Sequence, residues 1–157
     1  MTPGINVARK AGVNHRIHEY SHDPGHASYG LEAAEKMGVP ASQVFKTLVV
    51  ALDTQNLAVA VLPVSTMLNM KQIARAGGAK KAIMAPAMDV QRSTGYVLGG
   101  VSPLGQKKRL PTYIDTSAQQ FATIFVSAGR RGLEIELSPD DLCALTGGKF
   151  AGLADAE

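Results

Sequence analysis

The chain has 157 residues, of which 45% are hydrophobic and 18% charged, and this is enough for one domain with a substantial core. Its longest apolar runs are strand-length and its amino terminus lacks the apolar run of a secretory signal, so we expect neither a membrane-spanning helix nor export. The net charge of +3 favours anionic over cationic substrates but is too small to identify a nucleic-acid partner. The single cysteine, Cys143, cannot form an internal disulfide, which is consistent with a cytoplasmic location.

Five helices are predicted from the residues at their ends, where serine, threonine, asparagine or proline begins a helix and glycine commonly ends it. The predicted helices run from Thr2 to Gly12, from Ser28 to Gly38, from Asn69 to Ala76, from Pro86 to about Gly95, and over 138–145. In the second of them, Leu31, Ala34 and Met37 share one face, which we expect to be buried.

Six strands are predicted from apolar runs and from alternation of apolar and polar residues. They cover residues 15–20, 44–52, 57–62, 111–114, 122–127 and 132–137. The short turn after residue 52 predicts an antiparallel hairpin. On the last strand, Glu134 and Glu136 share a side that we expect to face water. The mixture predicts an α/β (α+β-like) fold over residues 1–157, as one compact domain whose sheet is not purely parallel.

Lys46 lies inside an apolar strand, on the same alternating face as Leu48 and Val50. An ammonium group there would either lose its proton and act as a base, or stay charged and stabilise an oxyanion or a phosphate. The alternative is an unreactive lysine near a strand end whose side chain extends to water. The residues alone leave both interpretations open.

Two glycine-containing connections are candidates for ligand binding. The stretch STGYVLGGVSPLGQKKRLPTYID (93–115) lacks the spacing of a Walker loop and of a dinucleotide-binding loop. Its length favours a binding loop over a purely structural one. The turn SAGRRG (127–132) could present N–H, hydroxyl and arginine groups to an anion, or could be a plain hairpin with solvated arginines.

Conventional catalytic groups are not recognisable in the sequence. Cys143 is interpreted as a small core residue, and no serine lies in a nucleophile-elbow motif. The four histidines between residues 15 and 26 do not match a zinc spacing, so we expect no metal and no cofactor. If the protein is an enzyme, Lys46 is the best candidate for its reactive group.

Several of these stretches together resemble the YbaK family, and more narrowly its bacterial Cys-tRNA(Pro) deacylase branch. The stretches are VFKTLVV (44–50), AVAVLPV (58–64), GAKKAIMA (78–85), QRSTGYVLGGVSPLGQKKRLPTYID (91–115) and RRGLEIEL (130–137). The resemblance implies a curved, mixed, mostly antiparallel sheet surrounded by helices. It also implies trans-editing, in which cysteine that prolyl-tRNA synthetase has wrongly attached to tRNA(Pro) is removed.

The resemblance also implies the site residues, with Lys46 as the essential lysine. The substrate-binding positions that it implies are Tyr20, Tyr29, Thr47, Gly99, Gly100, Val101, Ser102, Pro103, Ser127, Ala128, Gly129, Arg131 and Glu134. Two of them depart from the family pattern, since Ala128 stands at a glycine position and Glu134 at an aspartate position. We expect these departures to change details of the pocket but not the class of protein.

The mechanism that the resemblance implies needs no nucleophile from the protein. The thiol of the substrate attacks its own ester and leaves as a cyclic thiolactone, which gains from the proximity of the reacting groups. The protein supplies a shaped pocket, N–H donors from residues 99–103 and 127–129, and the charge of Lys46.

The expected partners are the acceptor end of the mischarged tRNA, contacted by Lys107, Lys108 and Arg109, and prolyl-tRNA synthetase; neither a membrane nor DNA is expected. Two alternatives stay open. One is an editing deacylase that removes another small amino acid, such as alanine, with water as the nucleophile. The other is a non-catalytic module that binds tRNA or a synthetase.

Overall fold

The computed structural model describes residues 1–25 and 28–156, and in this part of the chain it contains five α-helices and ten strands. The helices are α1 (Pro3–Ala11), α2 (Tyr29–Met37), α3 (Met70–Ala76), α4 (Ala87–Thr94) and α5 (Pro139–Thr146). The strands are β1 (His15–Glu19), β2 (Phe45–Leu52), β3 (Asn56–Pro63), β4 (Thr66–Leu68), β5 (Ala82–Met84), β6 (Thr112–Asp115), β7 (Ile124–Arg130), β8 (Leu133–Leu137), β9 (Lys149–Ala151) and β10 (Ala154–Ala156). Two short 3₁₀ helices cover Ala41–Gln43 and Thr116–Gln120. His26 and Ala27 of the expected loop between β1 and α2 lie outside the described residues.

The helix ends are those predicted from the capping residues. The hydroxyls of Thr2, Ser28 and Ser138 each accept a hydrogen bond from a backbone N–H of the first turn that follows. Asn69 does the same for α3, and Pro86 precedes α4 without a side-chain bond. All five predicted helices are therefore confirmed.

The buried face of α2 matches the predicted one in Ala34, which is buried, and Met37, which packs against the same cluster, but not in Leu31. Leu31 is 39% exposed, whereas Ala33 and Ala34 are buried together with the carboxylate residue Glu32. The two alanines pack in a cluster with Val44, Val64 and Phe125. Small side chains allow the helix to approach the strands closely, so this contact, rather than the most apolar face, decides how α2 is turned.

Two sheets carry most of the structure. The first has five strands in the order β5-β2-β3-β6-β9, with β2 antiparallel to β3 and β5, and with parallel pairs β3–β6 and β6–β9. The second is antiparallel, in the order β1-β8-β7, and a bridge between Val44 and Phe125 links the two. Strands β10 and β4 form a separate antiparallel pair. The predicted mixed, mostly antiparallel arrangement and the β2–β3 hairpin are confirmed.

The five-stranded sheet is buried on both faces. Phe45 and Val61 contribute to a core shared with the second sheet, α1 and α5, while Val50 and Leu62 contribute to a cluster with Ile73 of α3. Both faces of β2 are therefore apolar, as its sequence predicts. Among the residues that the structure describes, no helix is long and apolar enough to cross a lipid bilayer.

Candidate active site

A pocket of about 370 Å³ opens where the first residues of β2 meet the amino terminus of α2, the segment 98–101 and strands β7 and β8. Many of the expected site residues line it, contributed by separate parts of the chain. They are Tyr20, Tyr29, Lys46, Thr47, Gly99, Val101, Ser127, Arg131 and Glu134. The fold therefore brings together residues that the sequence places in four distant stretches.

Lys46 is half-buried at the wall of this pocket. It lies near the start of β2, on the same side of the strand as Leu48 and Val50 and opposite Leu62 of β3. The Nζ atom donates a hydrogen bond of 2.5 Å to the backbone carbonyl oxygen of Thr66, the first residue of β4. The side-chain nitrogen of Lys46 is thus held at the wall of the pocket.

The neighbouring residue, Thr47, presents a buried hydroxyl to the same region. Among the described groups, none forms a hydrogen bond with its Oγ1 atom. A buried hydroxyl without a partner is unfavourable in the free protein, and such atoms are concentrated where a ligand can satisfy them. Thr47 is therefore suited to contact a polar group of the substrate.

Tyr29 forms one wall of the pocket, and its ring contacts both Arg131 and Gly99. The guanidinium carbon of Arg131 lies 3.6 Å from the centroid of the Tyr29 ring, a cation–π contact. The same ring also lies close to Gly99, which has a φ of +90°, and a Cβ atom there would lie 2.6 Å from a carbon of that ring. Only glycine fits this position, because it tolerates the left-handed backbone and leaves room for the ring.

Glu134 corrects an expectation from the sequence, since its side does not face water. The residue is 7% exposed and lines the pocket, opposite Ser127 in the β7–β8 pair. Burial raises the pKa of its carboxyl group to about 8, so the group is mostly protonated at neutral pH. Burial also raises the pKa of the nearby Tyr20 hydroxyl. The two groups therefore offer the pocket uncharged hydrogen-bond donors.

Five residues expected at the site do not line the pocket: Gly100, Ser102, Pro103, Ala128 and Gly129. Ser102 is fully buried and its hydroxyl accepts a hydrogen bond from the N–H of Leu104. The N–H of Gly100 donates to the carbonyl oxygen of Val97. Pro103 lines a separate surface depression. Gly100 and Ser102 thus make hydrogen bonds within their own segment and do not face the pocket.

The 127–129 segment is likewise used partly within the protein. The N–H of Gly129 donates to the Ser127 hydroxyl at 3.2 Å, so this donor is engaged. The methyl group of Ala128 is buried in the core, and its carbonyl oxygen accepts a hydrogen bond from the hydroxyl of Thr2. Ala128 lies in β7 and does not have a positive φ, so alanine at this glycine position does not strain the loop.

The three basic residues expected to contact tRNA are exposed, and none of them lines this pocket. The backbone N–H groups of Lys107 and Lys108 donate to carbonyl oxygens at the end of α4. Lys108 and Arg109 border a different depression. Their contact with tRNA stays a prediction.

Sequence reasoning missed several lining residues and one charged residue behind them. The missed lining residues are Ser28, Gly30, Val44, Phe45, Leu48, Val64 and Leu98. Most are apolar residues in or directly beside β2 and β3, and nothing local distinguishes such a residue that faces a cavity from one that faces the core. The missed charge is Glu32, which has no solvent exposure and contacts Arg131. The available signal in the sequence was an acidic residue directly before two alanines, Ala33 and Ala34, in a predicted helix.

Comparisons with known proteins identify the family of the chain. Residues 24–145 match the family model described as the aminoacyl-tRNA editing domain. EbsC of Enterococcus faecalis, named as a candidate Cys-tRNA(Pro)/Cys-tRNA(Cys) deacylase, is 38% identical over 156 residues, which cover 99% of this chain and 94% of EbsC. The uncharacterised protein YwhH of Bacillus subtilis is 31% identical over 111 residues, which cover 71% of this chain and 70% of YwhH.

Solved structures show the same fold. A crystal structure described as a candidate trans-editing enzyme for prolyl-tRNA synthetase superposes with a TM-score of 0.86 at 22% identity, over 98% of this chain and 96% of the other. The structure of a hypothetical protein, APE2540, gives a TM-score of 0.85 at 24% identity, over 98% and 99% of the two chains.

With the family model matched over most of its length, the chain belongs to the aminoacyl-tRNA editing domain family, and the family prediction is confirmed.

Proposed function

We propose that this protein is a trans-editing deacylase that removes cysteine from mischarged Cys-tRNA(Pro). The observation that carries the proposal is a pocket with Lys46 at its wall and, among its described lining residues, neither cysteine nor histidine. A hydrolytic enzyme of the usual kind pairs its nucleophile with a base such as histidine. The proposed reaction instead takes its nucleophile from the substrate. The similarity to EbsC supports cysteine as the amino acid.

In the proposed reaction the cysteine sulfur attacks the carbonyl carbon of its own ester. A carbon–sulfur bond forms, the bond from the carbonyl carbon to the ribose oxygen breaks, and the thiol proton passes to that oxygen. The products are a cyclic thiolactone and free tRNA. Holding the thiol and the ester in one geometry replaces a bimolecular attack by an intramolecular one.

The charges around the pocket favour this chemistry. Lys46 and Arg131 are cationic, while the carboxyl group of Glu134 is mostly neutral at pH 7. Negative charge that develops on the sulfur and on the carbonyl oxygen therefore meets cations without a facing carboxylate. In this proposal Lys46, held by Thr66, stabilises the oxyanion or the departing ribose oxygen.

The experiment measures deacylation of Cys-tRNA(Pro) and of its S-methylated form by the wild type, Lys46→Ala and Lys36→Ala. Lys36 is an exposed lysine whose Nζ also donates to a backbone carbonyl, which makes it a matched control. We expect Lys46→Ala to lose about 10²- to 10³-fold in kcat, as other enzymes do when one stabilising donor is removed, and Lys36→Ala to match the wild type. S-methylation is expected to abolish turnover.

Other outcomes separate the alternatives. Equal cleavage of the S-methylated ester would show that water is the nucleophile and would contradict the substrate-assisted mechanism. Efficient cleavage of Ala-tRNA(Pro) but not Cys-tRNA(Pro) would instead identify a deacylase for another small amino acid. If no ester is cleaved above background, the enzymatic proposal fails and a binding role replaces it.

The partner proposal is that Lys107, Lys108 and Arg109 contact the acceptor end of tRNA and that prolyl-tRNA synthetase delivers the substrate. These three side chains are exposed in one short segment. Each phosphate contact that is lost should reduce the slope of log affinity against log salt by about 1. A variant with all three changed to alanine, titrated with tRNA(Pro) at several salt concentrations, tests the contact, and an unchanged slope would contradict it.

A further inference from the structure

The side chain of Glu32, on the first turn of α2, is completely buried and does not line the pocket. A buried carboxylate is unfavourable unless it is paired and hydrogen-bonded. Glu32 satisfies both conditions: Oε2 accepts from the backbone N–H of Asp23 at 2.7 Å, and Oε1 lies 3.0 Å from Nδ1 of His22. The histidine and aspartate that precede α2 therefore surround this carboxylate.

The third group at this carboxylate is Arg131. Its Nε atom lies 3.4 Å from Oε1 of Glu32, and its guanidinium group lies over the ring of Tyr29. The ring in turn is in close contact with Gly99. A continuous series of contacts thus leads from Glu32 through Arg131 and Tyr29 to the glycine-rich segment of the pocket.

The charge of Glu32 is maintained by its partners. Burial alone would raise the pKa of this carboxyl group, but the N–H of Asp23, the ring of His22 and the charge of Arg131 outweigh burial and lower the pKa overall. Glu32 is therefore a carboxylate at neutral pH. It faces Arg131 as an anion and opposes rotation of the guanidinium group away from the ring.

The ring of Tyr29 needs such a restraint because it stands at the mouth of the pocket. Tyr29 is 46% exposed, whereas Arg131 is only 19% exposed in its side chain. An aromatic side chain with nearly half of its surface in water rotates readily unless a neighbour holds it. Arg131 is that neighbour, and Glu32 and its loop hold Arg131.

We propose that Glu32 is a positioning residue, which through Arg131 holds the Tyr29 ring against Gly99 and so fixes one wall of the aminoacyl pocket. The inference rests on the proposed function of this pocket in deacylation. The role is indirect, because Glu32 itself does not reach the substrate. Loss of the charge of Glu32 should leave Lys46 in place and make the Tyr29 ring more mobile.

The test uses the full chain with Glu32→Gln, Arg131→Met, the double variant and Glu136→Gln. Glu136 is a matched control, because it also pairs with a histidine, at 2.8 Å, and does not line the pocket. We expect Glu32→Gln to lower kcat/KM for Cys-tRNA(Pro) about 10- to 100-fold, since misplacement of about 1 Å has effects of that order. Glu136→Gln should retain wild-type activity.

The double variant separates positioning from general stability. If Glu32 acts through Arg131, adding Glu32→Gln to Arg131→Met should cause no further loss of kcat/KM. A residue that only stabilises the fold would give losses that multiply, and that result would overturn the proposal.

A readout independent of activity uses fluorine NMR of protein containing 3-fluorotyrosine. The chain has four tyrosines, so the Tyr29 signal can be assigned with Tyr29→Phe. We expect the Tyr29 signal to move and narrow in Glu32→Gln and in Arg131→Met, while the signals of Tyr96 and Tyr113, which are outside the pocket lining, stay in place. An unchanged Tyr29 signal in folded Glu32→Gln would overturn the proposal.

Two further outcomes are decided by the same set of proteins. If Glu32→Gln does not fold, an Arg131→Met protein with an unmoved Tyr29 signal contradicts the proposal, and one with a moved signal supports it. If the wild type cleaves no aminoacyl ester, the proposed function fails, while the fluorine spectra still decide whether Glu32 positions the ring.

Discussion

Two glutamates on strand β8 have opposite environments although they are two residues apart and point to the same side. Glu136 accepts a hydrogen bond from the Thr123 hydroxyl at 2.6 Å and lies 2.8 Å from His18 Nε2. Burial alone would raise its pKa, but these partners lower it. Glu134 faces the pocket, has no hydrogen-bond donor to its side chain within the described chain, and has a pKa raised to about 8.

The difference separates a glutamate that joins parts of the second sheet from a glutamate that lines the pocket. Each carboxylate oxygen of Glu136 has a partner, and the two hydrogen bonds join β8 to His18 of β1 and to Thr123, the residue before β7. At the pocket end, the hydroxyl of Thr47 is buried without a hydrogen-bond partner among the described groups, and the carboxyl group of Glu134 is buried so that its pKa is raised. Unsatisfied polar groups reduce stability, and proteins retain them mainly where a ligand uses them.

The largest expected effect is on the pH dependence of stability, and it tests Glu134. Because its pKa is raised from 4.5 to about 8, the folded protein retains a proton that the unfolded chain has released. The stability that this group contributes is therefore complete below about pH 4.5 and is lost as pH rises towards 8. Relative to Glu134→Gln, the wild type should lose on the order of 4 kcal/mol of unfolding free energy across this range, at up to about 1.4 kcal/mol per pH unit.

Urea unfolding of both proteins at several pH values measures this difference. Glu134→Gln keeps the shape of the neutral carboxyl group, so its stability should decline less as pH rises. If the unfolding free energies of the two proteins change with pH in parallel, the pKa of Glu134 is not raised in the folded protein. The two glutamates would then not differ in the way described above.

The next effect concerns Glu136 and has the opposite sign. Because its pKa is lowered, its contribution is present above its unfolded value and is lost as pH falls through the folded value. We expect Glu136→Gln to lower the unfolding free energy by about 1–2 kcal/mol at pH 7, as for other hydrogen bonds to charged groups. The deficit should shrink in acid, and deacylation should not change. A deficit that is equally large at the lowest pH where the protein stays folded would contradict the assignment.

The smallest effect compares two threonines. Thr123→Val removes the hydroxyl that donates to Glu136 and should cost about 1 kcal/mol of stability. Thr47→Val removes a hydroxyl without a described partner, so stability should change by less than about 0.5 kcal/mol in either direction. Thermal unfolding of the two variants side by side measures this, and an equal loss in both would show that Thr47 already has a partner in the free protein.

Elements with local signals were predictable from the sequence. The five helices follow Thr2, Ser28, Asn69, Pro86 and Ser138 as predicted. At four of these positions a side-chain capping bond joins residues only three positions apart, and at Pro86, which makes no such bond, the proline itself is the local signal. Strands β4, β5, β9 and β10 were not predicted. Each has three residues and no measurable alternation, and its pairing partner lies elsewhere in the chain. A strand this short is defined by its neighbour rather than by its own sequence.

The sequence by itself determined the family, the strand that carries Lys46 and the two glycine-containing segments, since motifs and periodicity are properties of contiguous residues. The tertiary structure alone decided that Glu134 is buried while Glu136 is paired, that Glu32 replaces Leu31 on the buried side of α2, and that the N–H of Gly129 is used within its own loop. Those outcomes depend on groups far apart in the chain, as with His18 and Glu136 at a separation of 118 residues. The environment of a polar side chain depends on which hydrogen-bond donors the fold places beside it. A local sequence pattern does not determine contacts between residues that are distant in the chain.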